Sequence, residues 1–220
     1  NTIITGTELK AEENKVEDGQ FGVFIPLTVG QEEEIRDKGV TLERMFSVDL
    51  TQEDESTLRV FANREEINLV YVDDGRLAET KDEVVLEKRY AAEHALAVGD
   101  TVKLAGKTYT ITGIGCVPEY DMPIAKFSDM AVESSLFGLA FVTEDAYEEI
   151  LASGEAGIEE YCYAYRLNGA MTHDELKEEM KSFEFDYEQV DDVYFQEMIE
   201  DTIGRKDDIR EGIADLADGA

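Results

Sequence analysis

Side chains that could act as nucleophiles, bases or metal ligands are scarce in this 220-residue sequence, apart from its acids. His94 and His173 are the only two histidines, and both lie in segments predicted to form short helices. Ser134 and Ser135 lack the Gly-x-Ser-x-Gly context of an activated nucleophile, and no glycine-rich phosphate loop follows a predicted strand. The sequence therefore predicts no catalytic residue, and an extracellular hydrolase is the less favoured enzymatic alternative.

Carboxylates dominate the charge, with 52 Asp and Glu against 20 Lys and Arg and a formal net charge of −32. A glycosidase-like pair cannot be identified, because almost every acid has an acidic neighbour in sequence. Calcium binding is one interpretation, but no stretch has the ligand order of a calcium loop, and Asp73-Asp74-Gly75 is predicted to be a turn. We favour a solvated acidic surface, with no metal and no cofactor. Nucleic acid is excluded as a partner because no basic stripe is present to bind phosphates.

The two cysteines are too few for a disulfide scaffold and wrongly spaced for a zinc site. Cys116 ends an apolar strand-like run, and Cys162 lies inside another. Two buried thiols are the favoured interpretation. A single bridge in an oxidising compartment is the alternative.

The N-terminal part predicts strands separated by a short acidic helix. Apolar alternation predicts a strand over 20–27, and a helix over 31–38 is expected to stop at Gly39. Alternation then resumes over 40–50, which predicts one further strand, and residues 56–62 predict another.

Residues 77–137 predict a compact β-rich module. They contain a predicted strand over 83–87, a short helix over 89–96 and a hairpin over 101–114. After Gly138 the alternation of strands and helices returns, and it continues to about residue 182.

The last predicted strands and helices have clear boundary signals. A strand over 139–142 precedes a helix capped by Thr143, and a strand over 161–167 precedes a helix capped by Thr172. The tail, about 196–217, has the apolar spacing of an amphipathic helix, and we interpret it as a severed stalk.

The middle of the chain resembles the extracytoplasmic domain of FtsX-like permeases, the group that includes the MacB type of ABC transporter. The resemblance lies in residues 83–142, which read EVVLEKRYAAEHALAVGDTVKLAGKTYTITGIG, then VPEYDMPI, then SSLFGLAFVTEDAYEEIL. Upstream, STLRVFANREEINLVYVDDGRL is similar as well. The similarity spans about residues 20–182 and contains no catalytic signature.

This resemblance implies an α+β fold in two lobes, and the periodicity gives the same division. Residues 1–76 and 138–190 would form a discontinuous βαβ-containing lobe, and 77–137 an inserted β-rich lobe. Residues 191–220 would be a stalk helix leading towards a transmembrane segment, since no apolar stretch of about 18 residues lies in the chain.

The resemblance also implies a non-catalytic role at the extracytoplasmic face of the cell membrane. The domain would transmit ATP-driven motion and contact a substrate or partner outside the membrane. Its partners would be the transmembrane helices of its permease, a cytoplasmic ATPase and an extracellular peptide, lipoprotein or cell-wall protein. The full-length protein would be dimeric. The alternative is a secreted or surface-anchored binding or adhesion protein.

One stretch, 117–137, combines aromatic residues and methionines with prolines and acids, which is unusual for a solvated loop. Its large apolar residues either contact a partner or fill the space between the two lobes, and the second interpretation is favoured. The candidate contact residues are Tyr120, Met122, Phe127, Met130 and Phe137.

Overall fold

The structure is a computed structural model that describes residues 15–121 and 135–183. Strands and helices are both present in quantity in this part of the chain, which confirms the predicted α+β class. The strands are β1 (Gly19–Val23), β2 (Thr41–Arg44), β3 (Ser47–Thr51), β4 (Thr57–Ala62), β5 (Tyr71–Gly75), β6 (Glu83–Glu87), β7 (Thr101–Leu104), β8 (Lys107–Cys116), β9 (Phe137–Val142) and β10 (Tyr161–Arg166). The helices are α1 (Val29–Asp37), α2 (Lys88–Glu93), α3 (Pro118–Asp121), α4 (Glu144–Ala152) and α5 (His173–Lys181).

The small sheet has three strands in the order β1-β10-β2. Both outer strands run antiparallel to β10, so β1 and β2 are parallel to each other and form a split βαβ unit with α1. Apolar residues of α1 and α5 complete the core of this sheet. Its buried members are Phe21, Leu27, Ile35, Val40, Leu42, Tyr163, Tyr165, Leu167, Leu176, Met180 and Phe183.

A buried acid ties α1 to the small sheet. Glu32 on α1 accepts hydrogen bonds from the Arg44 guanidinium at 2.8 and 3.0 Å and from the Tyr163 hydroxyl at 3.0 Å. Burial, reinforced by the Glu32 charge, raises the pKa of Tyr163, so its hydroxyl remains a donor at neutral pH. At its N-terminus, α1 is fixed by Thr28, whose side chain accepts from the Gln31 N–H.

The large sheet has the strand order β3-β4-β9-β6-β8-β5, with β7 paired to β8 as well. The β4–β9 and β6–β8 pairs are parallel and the remaining pairs are antiparallel. Helices α2 and α4 cover one face. The buried core between them and the sheet consists of Val48, Leu50, Leu58, Val60, Val84, Leu86, Tyr90, Ala91, Leu104, Tyr109, Ile111, Ala140, Val142, Ala146, Tyr147 and Ile150.

The single strand predicted over 40–50 is wrong, because the chain passes from one sheet to the other within it. Ser47 pairs with Glu160 at the end of the small sheet and with Phe61 in the large sheet. The side chain of Phe46 packs against both cores. Apolar alternation gives the buried face of a strand but does not identify its partner strand.

The turn predicted at Asp73-Asp74-Gly75 is also wrong, since these residues end β5. Asp74 pairs with Ile114 and Gly75 with Gly113, after a bulge that follows Val72. The strand lies at the edge of the sheet and is mostly exposed, so backbone hydrogen bonds rather than an apolar face define it.

The predicted boundaries of the inserted lobe lie within the large sheet. Strand β6 pairs with β9 through Val85↔Phe141 and Leu86↔Ala140, which join residues from the two sides of the boundary at 138. Gly138 itself lies beneath Tyr90, and a Cβ atom there would be 2.4 Å from Tyr90 Cγ. Close packing therefore explains this glycine. The two-lobe division stays a prediction, and the stalk predicted over 191–220 lies outside the described residues.

Two further features bear on the sequence predictions. Cys116 is buried and Cys162 is partly exposed, with the Cys162 thiol donating to Gln20 Oε1 at 3.4 Å. Among the helices of residues 15–121 and 135–183, none has the length and apolar character needed to span a bilayer.

An ion pair closes the connection between β5 and β6 and gives a pH prediction. The Arg76 guanidinium donates to both oxygens of Glu83 at 3.0 and 2.6 Å, and the backbone N–H groups of Glu79 and Thr80 add two more hydrogen bonds. Chiefly because of Arg76, the pKa of Glu83 falls from 4.5 to about 2.

We therefore expect the ionised form of Glu83 to stabilise the folded state above pH 4.5, and this contribution to be lost as pH falls towards 2. A ¹³C NMR titration of the Glu83 carboxyl measures the folded pKa directly. Arg76→Gln should raise it, and the control Lys88→Gln should not. A midpoint near 4.5 in the unaltered protein would contradict the prediction.

Candidate functional site

The face of the large sheet opposite α2 and α4 carries aromatic side chains and arginines. Alternation along β4 and β9 sends Arg59, Phe61, Leu139 and Phe141 to this face, where Arg59 is paired with Leu139 and Phe61 with Phe141. We call this surface the aromatic face. Its buried apolar members are Phe61, Val85, Val117, Leu139 and Phe141, with Val70, Tyr120 and Phe137 partly buried against them.

Arg59 lies at the centre of the aromatic face. Its guanidinium donates to both oxygens of Asp49 at 2.9 and 3.2 Å and to the Tyr120 hydroxyl at 3.1 Å. It also lies over the Phe137 ring, 5.1 Å from the ring centroid. Burial acts to lower the pKa of Arg59, but the hydrogen bonds to Asp49 and Tyr120 outweigh it and the pKa is raised. Arg59 is therefore a permanent cation with three anchoring contacts.

Two more arginines hold the short helix α3 against this face. The Arg64 guanidinium forms an ion pair with Glu119, and Arg89 donates to the Tyr120 carbonyl at 3.0 Å. Arg64 also lies over the Phe61 and Phe141 rings, 4.7 and 5.2 Å from their centroids. Three of the chain's 20 basic residues thus converge on the consecutive residues Glu119 and Tyr120.

The Arg64–Glu119 pair is deeply buried but incompletely hydrogen-bonded. The Arg64 side chain is 1% exposed and the Glu119 side chain 9%. Arg64 Nη1 contacts Glu119 Oε1, whereas Arg64 Nε and Nη2 and Glu119 Oε2 have no hydrogen-bond partner within residues 15–121 and 135–183. Arg64 Nη1 donates to the Asn68 carbonyl at 3.1 Å. A buried pair of this kind is costly to break from one side, because the remaining charge has no other partner.

The structure brings two of the five predicted contact residues together. Tyr120 and Phe137 both touch Arg59 and both pack against the aromatic face. Burial is the main cause that raises the pKa of Tyr120. The other three residues, Met122, Phe127 and Met130, lie outside the described residues.

The sequence interpretation did not single out the three arginines. A usable signal was present for Arg59, because strict alternation along 57–62 places it on the same side as Phe61. Arg64 and Arg89 lie outside the strands, and only the folded chain brings them to Glu119 and Tyr120.

A second polar cluster surrounds His94, at the end of α2. His94 Nδ1 lies 3.1 Å from an Asp54 carboxylate oxygen, and Nε2 lies 2.9 Å from the Ser135 carbonyl. Ser56 is fully buried and bonds to Asp54 at 2.6 Å and to the Tyr90 hydroxyl at 2.8 Å. The hydrogen bonds from Ser56 lower the pKa of Asp54. The Ser56 hydroxyl contacts the acid and not the imidazole, so the group lacks the nucleophile–base bond of a hydrolase.

The acids do not gather into a metal-binding arrangement in the part of the chain that is described. No group of three or more His, Cys, Asp or Glu side chains there has a geometry that could hold a metal ion. His173, the other histidine, has its Nδ1 2.8 Å from the Tyr165 hydroxyl beside the core of the small sheet.

These elements define an α+β domain with two sheets joined at Ser47 and one aromatic, arginine-rich face. The sequence matches no protein-family model and no curated protein. Among solved structures, it is similar to the extracellular domain of the noncanonic ABC-type transporter YknZ from Gram-positive bacteria. The two share 13% sequence identity with a TM-score of 0.37, over 73% of this chain and 88% of that domain.

Proposed function

We propose that the chain is a non-catalytic extracytoplasmic domain of an ABC transporter permease of the FtsX-like, MacB-like type. The proposal rests on the resemblance in residues 83–142 and on one structural observation. The two resembling segments, DDGRL and TGIG, lie against each other, since the Arg76 N–H donates to the Thr112 carbonyl at 2.8 Å and Thr112 Oγ1 donates back to the Arg76 carbonyl at 3.1 Å.

This contact explains a glycine in the resembling motif. A Cβ atom on Gly113 would lie 2.4 Å from the Arg76 carbonyl oxygen, so β5 can approach β8 this closely only because the residue is glycine. Two segments about 35 residues apart in sequence thus depend on each other for a physical reason. This mutual dependence supports treating the two motifs as parts of one structural pattern.

The proposed role is mechanical. The domain would connect the transmembrane helices of its permease, driven by a cytoplasmic ATPase, to a peptide, lipoprotein or cell-wall protein outside the membrane. We propose Tyr120 and Phe137, positioned by Arg59, as the described part of the partner contact. In the assembled transporter the permease would be a dimer.

The reading frame that contains this sequence tests the assignment first. We expect an apolar segment of about 20 residues on each side of the chain, and a gene for an ATPase nearby. A frame without such segments would instead support the secreted or surface-anchored binding protein.

Motion is tested in the permease–ATPase complex, reconstituted in nanodiscs. A spin label is attached at Thr108→Cys in a variant whose Cys116 and Cys162 are replaced by Ser. Electron paramagnetic resonance then measures the distance between the labels of the two protomers. We expect this distance to change by several Å, about the size of a hinge or lever movement, between ATP-bound and ADP-bound states. Equal distances in both states would contradict the transmission of motion.

A further inference from the structure

His94, directly after α2, contacts two segments that are distant from it in sequence. Its Nδ1 lies 3.1 Å from Asp54 Oδ2, in the turn between β3 and β4, and its Nε2 lies 2.9 Å from the Ser135 carbonyl oxygen, just before β9. The Tyr90 ring stacks on the imidazole, with 4.0 Å between the ring centroids. The His94 side chain is 19% exposed, so it joins three parts of the chain at a mostly buried position.

Both nitrogens of the His94 ring face hydrogen-bond acceptors. The hydroxyl and the backbone N–H of Ser56 donate to Asp54 Oδ1 at 2.6 and 3.0 Å, and these bonds lower the pKa of Asp54 and keep it ionised. A neutral imidazole has one N–H to donate, whereas the imidazolium has two. Only the imidazolium can therefore donate to Asp54 and to the Ser135 carbonyl at the same time.

The groups around the ring also suit its charged form. Burial is the main cause that raises the pKa of Tyr90, whose hydroxyl is 2.8 Å from the Ser56 hydroxyl. Tyr90 therefore stays neutral and presents its ring face, which attracts a cation, to the imidazole. The acids next in sequence to Asp54 and His94 are exposed, namely Glu53, Glu55 and Glu93.

A neutral His94 ring must give up one of its two contacts. A hydrogen bond to an ionised acceptor is stronger than one to a peptide carbonyl, so the single N–H remains on Nδ1 and donates to Asp54. The unprotonated Nε2 then faces the Ser135 carbonyl oxygen, and two acceptors cannot form a hydrogen bond. Ser135 thereby loses its bond to His94.

The loss of this bond affects the start of β9. The Thr57 N–H on β4 donates to the Leu136 carbonyl at 2.8 Å, and Phe137, the first residue of β9, packs on the aromatic face. We propose that His94 is a pH-dependent switch whose imidazolium fixes the start of β9 and whose neutral form releases Ser135. The switch acts within the chain, so it does not depend on the function proposed above.

Hydrogen exchange of the whole chain, followed by NMR, tests the switch at about pH 5.5 and about pH 8.5, on either side of the range in which histidines ordinarily ionise. Protection factors correct for the intrinsic pH dependence of exchange. We expect the protection of the Thr57 amide to be at least about tenfold lower at the higher pH, as for the loss of one hydrogen bond to a charged group. The ¹⁵N shifts of His94 should show two protonated nitrogens at the lower pH and Nδ1 alone at the higher.

The variant Asp54→Asn should remove this pH response. Its side-chain oxygen can still accept from Ser56, and its amide N–H can donate to Nδ1 of a neutral His94. The neutral ring then keeps its Nε2–H for the Ser135 carbonyl. We expect the protection of Thr57 in this variant to differ by less than about twofold between the two pH values.

Replacing each histidine in turn provides the matched comparison. His94→Gln carries no titratable group and should also remove the pH response of the Thr57 amide. His173→Gln removes the only other histidine of the chain and should leave the response intact.

Three results would overturn the proposal. The first is equal protection of Thr57 at both pH values in the unaltered chain. The second is a tenfold loss that persists in His94→Gln, which would assign the response to another group. The third is a folded Asp54→Asn variant that responds like the unaltered chain. Urea midpoints at each pH identify a misfolded variant, and if Asp54→Asn is misfolded, the two histidine variants decide the matter.

Discussion

Replacing Ile111 by Asp is expected to destabilise the fold by at least about 4 kcal/mol, because it buries an unpaired carboxylate. Ile111 on β8 is fully buried and pairs with Val84 in the neighbouring strand. Its core also contains residues of β3, β4 and β9, which lie outside the segment 77–137. We expect amide protection to fall throughout the large sheet and to persist longer in β1, β2 and β10.

Hydrogen exchange followed strand by strand distinguishes this result from the division predicted from sequence. Loss of amide protection confined to residues 77–137 would support an inserted lobe that unfolds alone. Equal loss of protection in both sheets would indicate one cooperative unit. Thr108→Asp, on the exposed side of the same strand, is the control and should cost less than about 0.5 kcal/mol. If the Ile111→Asp variant does not fold, Ile111→Ala gives the same comparison. We expect this milder substitution to lower the free energy of unfolding by about 2–5 kcal/mol.

Replacing Arg64 by Met is expected to cost about 3–5 kcal/mol, because it leaves the buried Glu119 carboxylate without its cation. The double variant Arg64→Met/Glu119→Leu should recover most of this loss, since the remaining side chains are apolar and lie beside the Phe61 and Phe141 rings. Urea unfolding of the two single variants and the double variant gives the coupling free energy.

The exposed ion pair Lys88–Asp73, at 3.8 Å, provides the matched comparison. Lys88→Met should cost less than about 1 kcal/mol, because both groups remain solvated when the pair is removed. If Arg64→Met also cost less than about 1 kcal/mol, the Glu119 carboxylate would have to reach water in the variant, and the pair would not hold α3 in place.

The sequence predicts locally determined features well. Thr143 and Thr172 cap helices as expected, each accepting a hydrogen bond from a backbone N–H three residues ahead. The strand over 83–87 and the hairpin of β7 and β8 are also confirmed. Each of these features depends on neighbouring residues, whose chemistry can be read directly.

Features that depend on distant partners could not be predicted in this way. The residues at 40–50 share one alternating pattern, although Leu42 belongs to the core of the small sheet and Val48 to that of the large sheet. The turn-like residues of β5 form a strand because β8 supplies backbone partners. Likewise, the site residues Arg64 and Arg89 acquire their role only when α3 is placed between them.

The strand order of the small sheet has a consequence for synthesis on the ribosome. Strands β1 and β2 have no hydrogen bonds to each other, because β10 lies between them and is made about 120 residues after β2. At translation rates of about 5–20 residues per second, both strands wait roughly 6–25 s for their common partner. During that interval their edges and the apolar side chains of α1 are open to other chains. The small sheet can therefore form only after the segment containing Tyr163 has emerged, and until then the chain carries two strand segments without their partner.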